Sequence, residues 1–258
     1  MPQQSLPASA YVLGVRVDRV SQLQVLKIID QLIALRRASG NTLPCQQIVT
    51  VNTEFVMAAQ TNIEFRQTIN SAALAVADGI GVVWATRFVG FPTPERITGT
   101  DILVALAKRC AQKGYRLYLL GAAPGIAEQA GVCLQALAPG LQIAGTHAGS
   151  PAPAEEDAII ERIHAADADI LCVAYGAPAQ DLWICRNLSR LPAATAMGVG
   201  GAYDFLSGRQ RRAPQTMQRI GLEWLYRLYR EPWRWKRMLA IPDFLLQVLL
   251  RGRKKHDS

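Results

Sequence analysis

Residues 170–201, which read ILCVAYGAPAQDLWICRNLSRLPAATAMGVGG, contain the pattern that decides the fold. The apolar runs 170–174 and 195–199 predict two short buried strands, and residues 180–189 between them predict a helix. Each strand is followed closely by glycine, in Tyr175-Gly176 and in Gly200-Gly201. A strand, a helix and a second strand in this order are typical of a parallel sheet covered by helices.

The same alternation extends along the rest of the chain. Further strands are predicted over Tyr11–Val17, Gln47–Val51, Ala73–Ala77, Arg116–Leu120 and Leu141–Gly145. Further helices are predicted over Ser21–Arg37, Glu54–Gln67, Ile80–Val89, Thr100–Lys113, Ile126–Leu137 and Ala154–Ala165. The predicted fold class is therefore α/β, with a Rossmann-like, mostly parallel sheet and helices on both of its faces.

The net charge divides the chain into two parts. Residues 209–258 contain 13 Lys and Arg against 4 Asp and Glu, whereas the first 208 residues contain 15 against 16. We therefore predict a Rossmann-like domain over 1–208 and a basic appendage over 209–258 that contains short helices, the first over Gln215–Arg230 and the last over Phe244–Leu250. A neutral body with one basic end favours docking on an anionic membrane surface over binding of nucleic acid.

Several classes of protein do not fit the composition. The five cysteines form no Cys-x-x-Cys pair and the three histidines are scattered, so neither a disulfide framework nor a metal site is predicted. We find no leader with a basic start and an apolar core, and no apolar run of about 18 residues, so neither a signal peptide nor a membrane span is predicted. These expectations favour a cytoplasmic protein that uses no metal or other cofactor.

Candidate site residues are the polar and glycine residues at the ends of the predicted strands, because ligands of such sheets bind beyond those ends. The candidates are Thr50, Asn52, Asp78, Gly121, Gly176, Gln180, Gly200 and Asp204. Structural interpretations stay open beside the functional ones: Asn52 or Asp78 could cap the next helix, and the glycines could serve tight turns. Burial at the end of an apolar strand would instead raise the pKa of Asp78 towards that of a general base.

Taken in order, these elements resemble the WecG/TagA/CpsF family of bacterial glycosyltransferases (glycosyltransferase family 26). The matching motifs are Thr50-Val-Asn52, Ala77-Asp-Gly79, Glu95-Arg-Ile-Thr-Gly-Thr-Asp101, Leu119-Leu-Gly121, Gly176-Ala-Pro178 with Gln180, Gly198-Val-Gly-Gly201 with Asp204-Phe205, Arg212-Ala-Pro214, and Gly221-Leu-Glu-Trp-Leu-Tyr-Arg-Leu228 with Glu231-Pro232. No single motif is decisive, but eight in the right order make the resemblance highly specific.

The resemblance implies a fold of the GT-E type and an inverting sugar transfer. The implied donor is a UDP-sugar, carrying N-acetylmannosamine or another hexose, and the acceptor is a sugar on a polyprenyl diphosphate. Asp78 is implied as the general base, with Thr50, Asn52 and Gln180 lining the site. The implied setting is synthesis of surface polysaccharide or a teichoic acid-type glycan at the inner face of the cell membrane, and a homo-oligomer is left open.

Arginines are expected to stabilise the leaving diphosphate, and Arg96, Arg211 and Arg212 are the candidates. Arg211 and Arg212 lie where the appendage begins, so we predict that the appendage also helps to close the site over a lipid-borne substrate. The residues predicted to contact the membrane are Arg227, Arg230, Trp233, Arg234, Trp235 and Arg237. A solvated basic helix packed on its own domain is the alternative for this segment.

One departure from the family pattern occurs after Pro178, where Ala179-Gln-Asp181 replaces the usual Lys-Gln-Glu. The charged Lys is missing and the Glu is shortened, which favours a difference in donor or acceptor binding. Two other functions stay open at this point. One is a non-catalytic component of a polysaccharide assembly complex that binds nucleotide sugars, and the other is a nucleic-acid-binding protein that uses its basic end.

Overall fold

The computed structural model describes residues 7–219, 222–230, 232, 235 and 239–251. The α/β class is confirmed. The strands are β1 (Ser9–Val12), β2 (Val15–Asp18), β3 (Gln46–Val51), β4 (Leu74–Ala77), β5 (Arg116–Gly121), β6 (Gln142–His147), β7 (Ile170–Ala174) and β8 (Thr195–Gly198). The helices are α1 (Gln22–Ala38), α2 (Thr53–Thr61), α3 (Ile63–Ser71), α4 (Ile80–Phe88), α5 (Gly99–Lys113), α6 (Ile126–Leu137), α7 (Glu156–Ala166), α8 (Ala179–Asn187), α9 (Ala202–Leu206), α10 (Gln215–Arg219), α11 (Glu223–Arg230) and α12 (Ala240–Arg251).

Six of the strands form a parallel sheet in the order β4-β3-β8-β7-β5-β6, flanked by helices. Every residue of β7 and of β8 is buried, as expected for strands that are covered on both faces. The chain order is not the order in the sheet, since β3, the first of these strands, lies beside β8, the last. Parallel neighbours need crossover connections, and the intervening helices provide them.

The prediction of one strand over Tyr11–Val17 was wrong. Residues Leu13 and Gly14 both have positive φ, 50° and 81°, and form a two-residue turn between the antiparallel strands β1 and β2. Positive φ at both central residues is the geometry of a tight hairpin turn. The hairpin is joined to β4 through buried Asp18, whose carboxylate accepts a hydrogen bond from the N–H of Ala75 at 2.8 Å.

Two helices predicted as continuous are each divided. Residues 54–67 contain the end of α2 and the start of α3, because Asn62 is extended and caps α3 by accepting a hydrogen bond from Phe65 N–H at 2.9 Å. Residues 215–230 contain the separate helices α10 and α11. Asparagine competes with the helical backbone for hydrogen bonds, which explains the interruption at Asn62.

The described residues group into two compact units. The larger unit contains residues 22–50 and 98–211, and the smaller unit contains the described residues of 1–21, 51–97 and 212–258. The core of the larger unit includes Trp183, Ile184, Leu120 and Val173, which are all fully buried. The domain boundary predicted at residue 209 stays a prediction.

Helix α12 is part of the core of the smaller unit. Its residues Phe244 and Val248 are buried, and the helix packs against α2 and α4. A Cβ at Gly81 would lie 3.7 Å from the Phe244 ring and 2.6 Å from Cγ2 of Thr53, so glycine permits this close packing. Burial of each such apolar side chain contributes on the order of 1.5–3 kcal/mol to folding.

Candidate active site

In the smaller unit, Asp78 lies at the end of β4, whose four residues are all buried. The N–H of Asp78 donates to the carbonyl of Val51 at 2.7 Å, and Asp78 is partly exposed. The N-cap position of α4 belongs to Gly79, with φ 134°, and not to Asp78. Asp78 is therefore not the N-cap residue of α4.

Asn52 lies next to this turn and has a defined structural role. Its Oδ1 accepts a hydrogen bond from Phe55 N–H at 3.1 Å, which makes Asn52 the N-cap of α2 as the structural interpretation predicted. A Cβ placed on Gly79 would lie 3.6 Å from the Cβ of Asn52. The amide of Asn52 and the Asp78-Gly79 turn therefore occupy neighbouring positions in the smaller unit.

Two of the three candidate arginines share one carboxylate in the smaller unit. Glu223, the first residue of α11, lies 3.7 Å from Nη1 of Arg96 and 3.4 Å from Nε of Arg212. The three side chains are each only about 20% exposed. Arg96 is also held near the end of β4, because the next residue, Ile97, donates its N–H to the carbonyl of Ala77 at 2.7 Å.

Sequence reasoning did not assign a role to Glu223. The residue lies inside a motif that was used for the resemblance, and it is the one acidic side chain in the first turn of α11. The available sequence signal was that Glu223 is an acidic residue in a basic segment, about ten positions after Arg211 and Arg212. Arg211, the third candidate, is exposed.

In the larger unit, Thr50 and Gln180 hold the glycine-rich end of β8. Buried Thr50 donates from Oγ1 to the carbonyl of Gly198 at 3.3 Å. Gln180 is 1% exposed, and its Oε1 accepts the N–H of Gly200 at 3.0 Å. Gly200 has a φ of 52°, in the left-handed region that glycine adopts without cost. Both candidate side chains are therefore fixed to the backbone of residues 198–200.

Asp181 is a fully buried acid beside this turn. From the sequence it was noted only as an aspartate where the family usually has a glutamate. Neither carboxylate oxygen accepts a hydrogen bond of ordinary geometry from any residue that the structure describes. Burial raises the pKa of Asp181 to about 7, and the neighbouring Gln180 amide opposes this rise only in part. The first turn of α8 thus contains an acid that titrates near neutral pH.

The other glycine candidates in the larger unit serve close packing and turns. Gly121 has a φ of 101°, and a Cβ there would lie 2.7 Å from the carbonyl carbon of Ala174 on the neighbouring strand. Gly176 has a φ of 78° and leads into α8. Asp204 on α9 lies 3.9 Å from Nη1 of Arg209. These features agree with the turn interpretation, and ligand binding at these residues stays a prediction.

The predicted membrane-contact residues are described only in part. Arg230 and Trp235 are exposed, the latter to 54%. The side chain of Arg227 and the residues Trp233, Arg234 and Arg237 lie outside the described residues. None of the helices in the described part of the chain has the length and apolar character that crossing a membrane requires.

Among the described residues, no group of three or more His, Cys, Asp or Glu side chains could hold a metal ion. The chain has an Asp-x-Asp sequence, the pattern that often holds a metal beside a diphosphate, at Asp167-Ala-Asp169. Asp167 pairs with Arg116 at 2.9 Å and Asp169 with Arg37 at 2.7 Å. Both acids precede β7, whereas ligands of parallel sheets bind beyond the opposite, carboxyl end of the strands.

A parallel α/β sheet with polar residues and glycines after its strands is typical of enzymes that bind their ligands beyond those strand ends. Comparison with known proteins makes this class specific. Residues 10–258 match the Glycosyl transferase WecG/TagA/CpsF family, and the chain belongs to that family. The resemblance inferred from the motifs is confirmed, and the protein is a glycosyltransferase.

Two relatives from Bacillus have the same name, N-acetylglucosaminyldiphosphoundecaprenol N-acetyl-beta-D-mannosaminyltransferase. The protein of Bacillus spizizenii (strain ATCC 23059 / NRRL B-14472 / W23) is 36% identical over 206 residues, which are 80% of this chain and 79% of the relative. The protein of Bacillus subtilis (strain 168) is 35% identical over 208 residues, which are 81% of this chain and 80% of the relative.

Proposed function

We propose that the protein transfers a sugar, N-acetylmannosamine or another hexose, from a UDP-sugar to a sugar on a polyprenyl diphosphate, with inversion at the anomeric carbon. The names of the two Bacillus relatives specify the transfer of an N-acetyl-β-D-mannosaminyl group to N-acetylglucosaminyldiphosphoundecaprenol. The observation that carries the proposal is the position of Asp78, a partly exposed carboxylate that directly follows a buried strand.

Asp78 is the proposed general base. In a single displacement, it takes the proton of the acceptor hydroxyl while the new bond forms between that oxygen and the anomeric carbon. The bond from this carbon to the diphosphate oxygen breaks on the opposite face, and UDP leaves. The amide of Asn52 beside the Asp78-Gly79 turn is suited to orienting a sugar hydroxyl. Thr50 and Gln180 support this chemistry by fixing the backbone of residues 198–200.

Positive charge for the diphosphates comes from Arg96, Arg211 and Arg212 in this proposal. The guanidinium groups of Arg96 and Arg212 are already oriented by Glu223, which reduces the entropy lost when they bind an anion. Gly121, Gly176 and Gly200 are the proposed backbone contacts for the donor, and Asp204 is a proposed contact for its sugar. No metal or other cofactor takes part in this scheme.

The segment 209–258 is the proposed membrane-docking appendage of a catalytic domain over 1–208. Helix α12 supports this because it buries Phe244 and Val248 while five leucines, Leu239, Leu245, Leu246, Leu249 and Leu250, are 37–64% exposed. Exposed leucines beside a strongly basic sequence fit the boundary of an anionic membrane. The proposed location is the cytoplasm, peripheral on the inner face of the cell membrane, without nucleic-acid binding. A homo-oligomer is compatible with the proposal.

The test of the chemistry is transfer by the purified protein from a series of UDP-sugars to a short polyprenyl-diphosphate N-acetylglucosamine. Asp78→Asn is expected to lower the transfer rate by about 10²–10⁴-fold and to leave donor binding unchanged, since only the base is lost. The control is Asp157→Asn, which makes the same change at an acid that is 84% exposed. Near-full activity of Asp78→Asn would refute the assignment of the base.

The docking proposal needs point variants, because removal of residues 209–258 would also expose the core contacts of Phe244 and Val248. Leu246→Glu combined with Leu250→Glu is expected to weaken binding to phosphatidylglycerol vesicles at least tenfold, because two apolar side chains no longer enter the lipid. Leu35→Glu on α1 is the control, since Leu35 is 53% exposed and Leu246 is 55% exposed. Unchanged vesicle binding by the double variant would contradict docking through α12.

A further inference from the structure

The side chain of Asp181 has an unusual position for an acid. It is 0% exposed, it lies in the first turn of α8, and neither of its oxygens has an ordinary hydrogen bond within the described part of the chain. The nearby amide of Gln47 donates to the backbone carbonyl of Asp181 at 3.0 Å and not to the carboxylate. Isolated buried carboxylates are costly, so this one requires a functional or structural reason.

The immediate neighbours of the carboxylate are the side chain of Gln180 and the backbone of Gly198. A Cβ at Gly198 would lie 2.8 Å both from Oδ1 of Asp181 and from the amide carbon of Gln180. The two side chains therefore share the space that the missing Cβ of Gly198 leaves open. On its other side, the Gln180 amide accepts the N–H of Gly200 through Oε1.

A glutamine amide has two orientations, which exchange its acceptor oxygen and its donor nitrogen. Only the orientation with Oε1 towards Gly200 makes the observed hydrogen bond, and it turns the NH₂ group towards the space shared with Asp181. An ionised carboxylate only accepts hydrogen bonds, so it favours a neighbouring NH₂ group and repels a carbonyl oxygen. A protonated carboxyl also donates, and it tolerates the flipped amide.

We propose that Asp181 is a positioning residue, whose ionised carboxylate fixes the amide of Gln180 and thereby holds the backbone of residues 198–200 in its substrate-binding form. The part of this inference that concerns the amide and Gly200 rests on the contacts alone. The part that concerns substrate rests on the proposed function. Asp181 acts through Gln180 and does not contact the reacting atoms.

Among the described residues, burial has the largest influence on the pKa of this carboxylate, and no charged side chain contributes to the shift. Helix α8 packs against β7 and β8, and β3 contributes the neutral amide of Gln47. The titratable groups in the core that α8 covers are the thiol of Cys45 and the phenols of Tyr118 and Tyr175. Burial raises the pKa of each of these three groups, so all of them are neutral at physiological pH.

The backbone amide of Gly200 can be observed by itself. Only Gly90 and Gly200 follow a valine among the 20 glycines of the sequence. Protein labelled with ¹³C-carbonyl valine and ¹⁵N-glycine therefore gives two cross-peaks in a carbonyl-to-amide correlation spectrum. Gly90 lies in an exposed turn after α4, where its N–H donates to the Arg87 carbonyl, and it is an internal reference.

The expected result is a Gly200 cross-peak that shifts between pH 5.5 and 8.5 with a midpoint near 7, while the Gly90 peak stays in place. In Asp181→Asn this titration is expected to disappear, whereas Asp157→Asn is expected to keep it. A Gly200 peak that does not titrate, or that titrates equally in Asp181→Asn, would overturn the coupling. This measurement needs no substrate, so its failure is distinct from a failure of the proposed function.

The consequence for transfer is tested separately. The wild-type protein is expected to lose kcat below pH 7. Asp181→Asn is expected to lower kcat about tenfold at pH 8 and to abolish this pH dependence. Asp181→Glu keeps an ionisable acid, and it is expected to restore the pH dependence. Wild-type kcat and pH dependence in Asp181→Asn would overturn the positioning role. Circular dichroism of each variant confirms that folded proteins are compared.

Discussion

Replacing Asp181 with asparagine is expected to stabilise the fold at alkaline pH and to leave its stability nearly unchanged at acidic pH. Asparagine has almost the shape of a protonated aspartic acid, and both are neutral. Above pH 7 the wild-type residue is ionised inside the core, where its side chain has no exposed surface. The substitution then removes a buried negative charge without creating a cavity.

The magnitude follows from the pKa. A rise from 3.8 in the unfolded chain to about 7 in the folded chain makes ionised Asp181 cost about 4 kcal/mol, since each pH unit corresponds to about 1.36 kcal/mol. Between pH 4 and 7 the folded chain binds one more proton than the unfolded chain at this residue. The free energy of unfolding of the wild-type protein therefore falls as pH rises through this range, relative to the variant.

Urea-induced unfolding, followed by circular dichroism at several pH values, measures this effect. The expected difference between Asp181→Asn and the wild-type protein is close to zero at pH 3, grows steadily from about pH 4 to pH 7 and is constant above it. Asp157→Asn is the control and is expected to differ little from wild type, because its side chain is 84% exposed. A constant difference across the whole pH range would show that Asp181 is not ionised inside a dry core and would refute this prediction.

Three other substitutions test features of the same two units. Gly198→Ala places a Cβ in the space occupied by the Gln180 amide, so the fold is expected to lose about 1–3 kcal/mol in urea unfolding and transfer is expected to slow. Phe244→Ala removes a fully buried ring from α12, and a loss of about 3–5 kcal/mol with faster tryptic cleavage near the C-terminus is expected. Glu223→Gln removes the shared partner of Arg96 and is expected to cost less than about 1 kcal/mol, with faster amide hydrogen exchange in α11.

The alternation of short strands with helices was predictable because hydrophobic periodicity is local. Strand β7 is a continuous apolar run and β8 is nearly one, with Thr195 at its start, and such runs are the signature of buried parallel strands. The hairpin at Leu13-Gly14 was not predicted, since a leucine at positive φ gives no turn signal of its own. The order of the strands depends on contacts between residues far apart in the chain, such as Gln46 opposite Thr195, and no local pattern encodes it.

The candidate site was predictable in position but not in detail. Asp78 could be placed at a strand end because a polar residue follows a buried run directly. The sequence could not show that Asn52 both caps α2 and lies beside the Asp78-Gly79 turn, because the second contact depends on the fold. Asp181 could not be recognised as a buried acid, because acidic residues in the first turn of a helix are common and usually exposed. The space that its carboxylate occupies is left open by the missing Cβ of Gly198 on another element, β8.

The packing of α12 on α2 and α4 has a consequence for synthesis of the protein on the ribosome. Phe244 and Val248 are translated about 150 residues after the end of α4, yet they are buried in the same core. At about 5–20 residues per second, a nascent chain presents the uncovered sides of α2 and α4 for roughly ten to thirty seconds. Helix α12 therefore covers, late in synthesis, a hydrophobic surface on α2 and α4 that is made early.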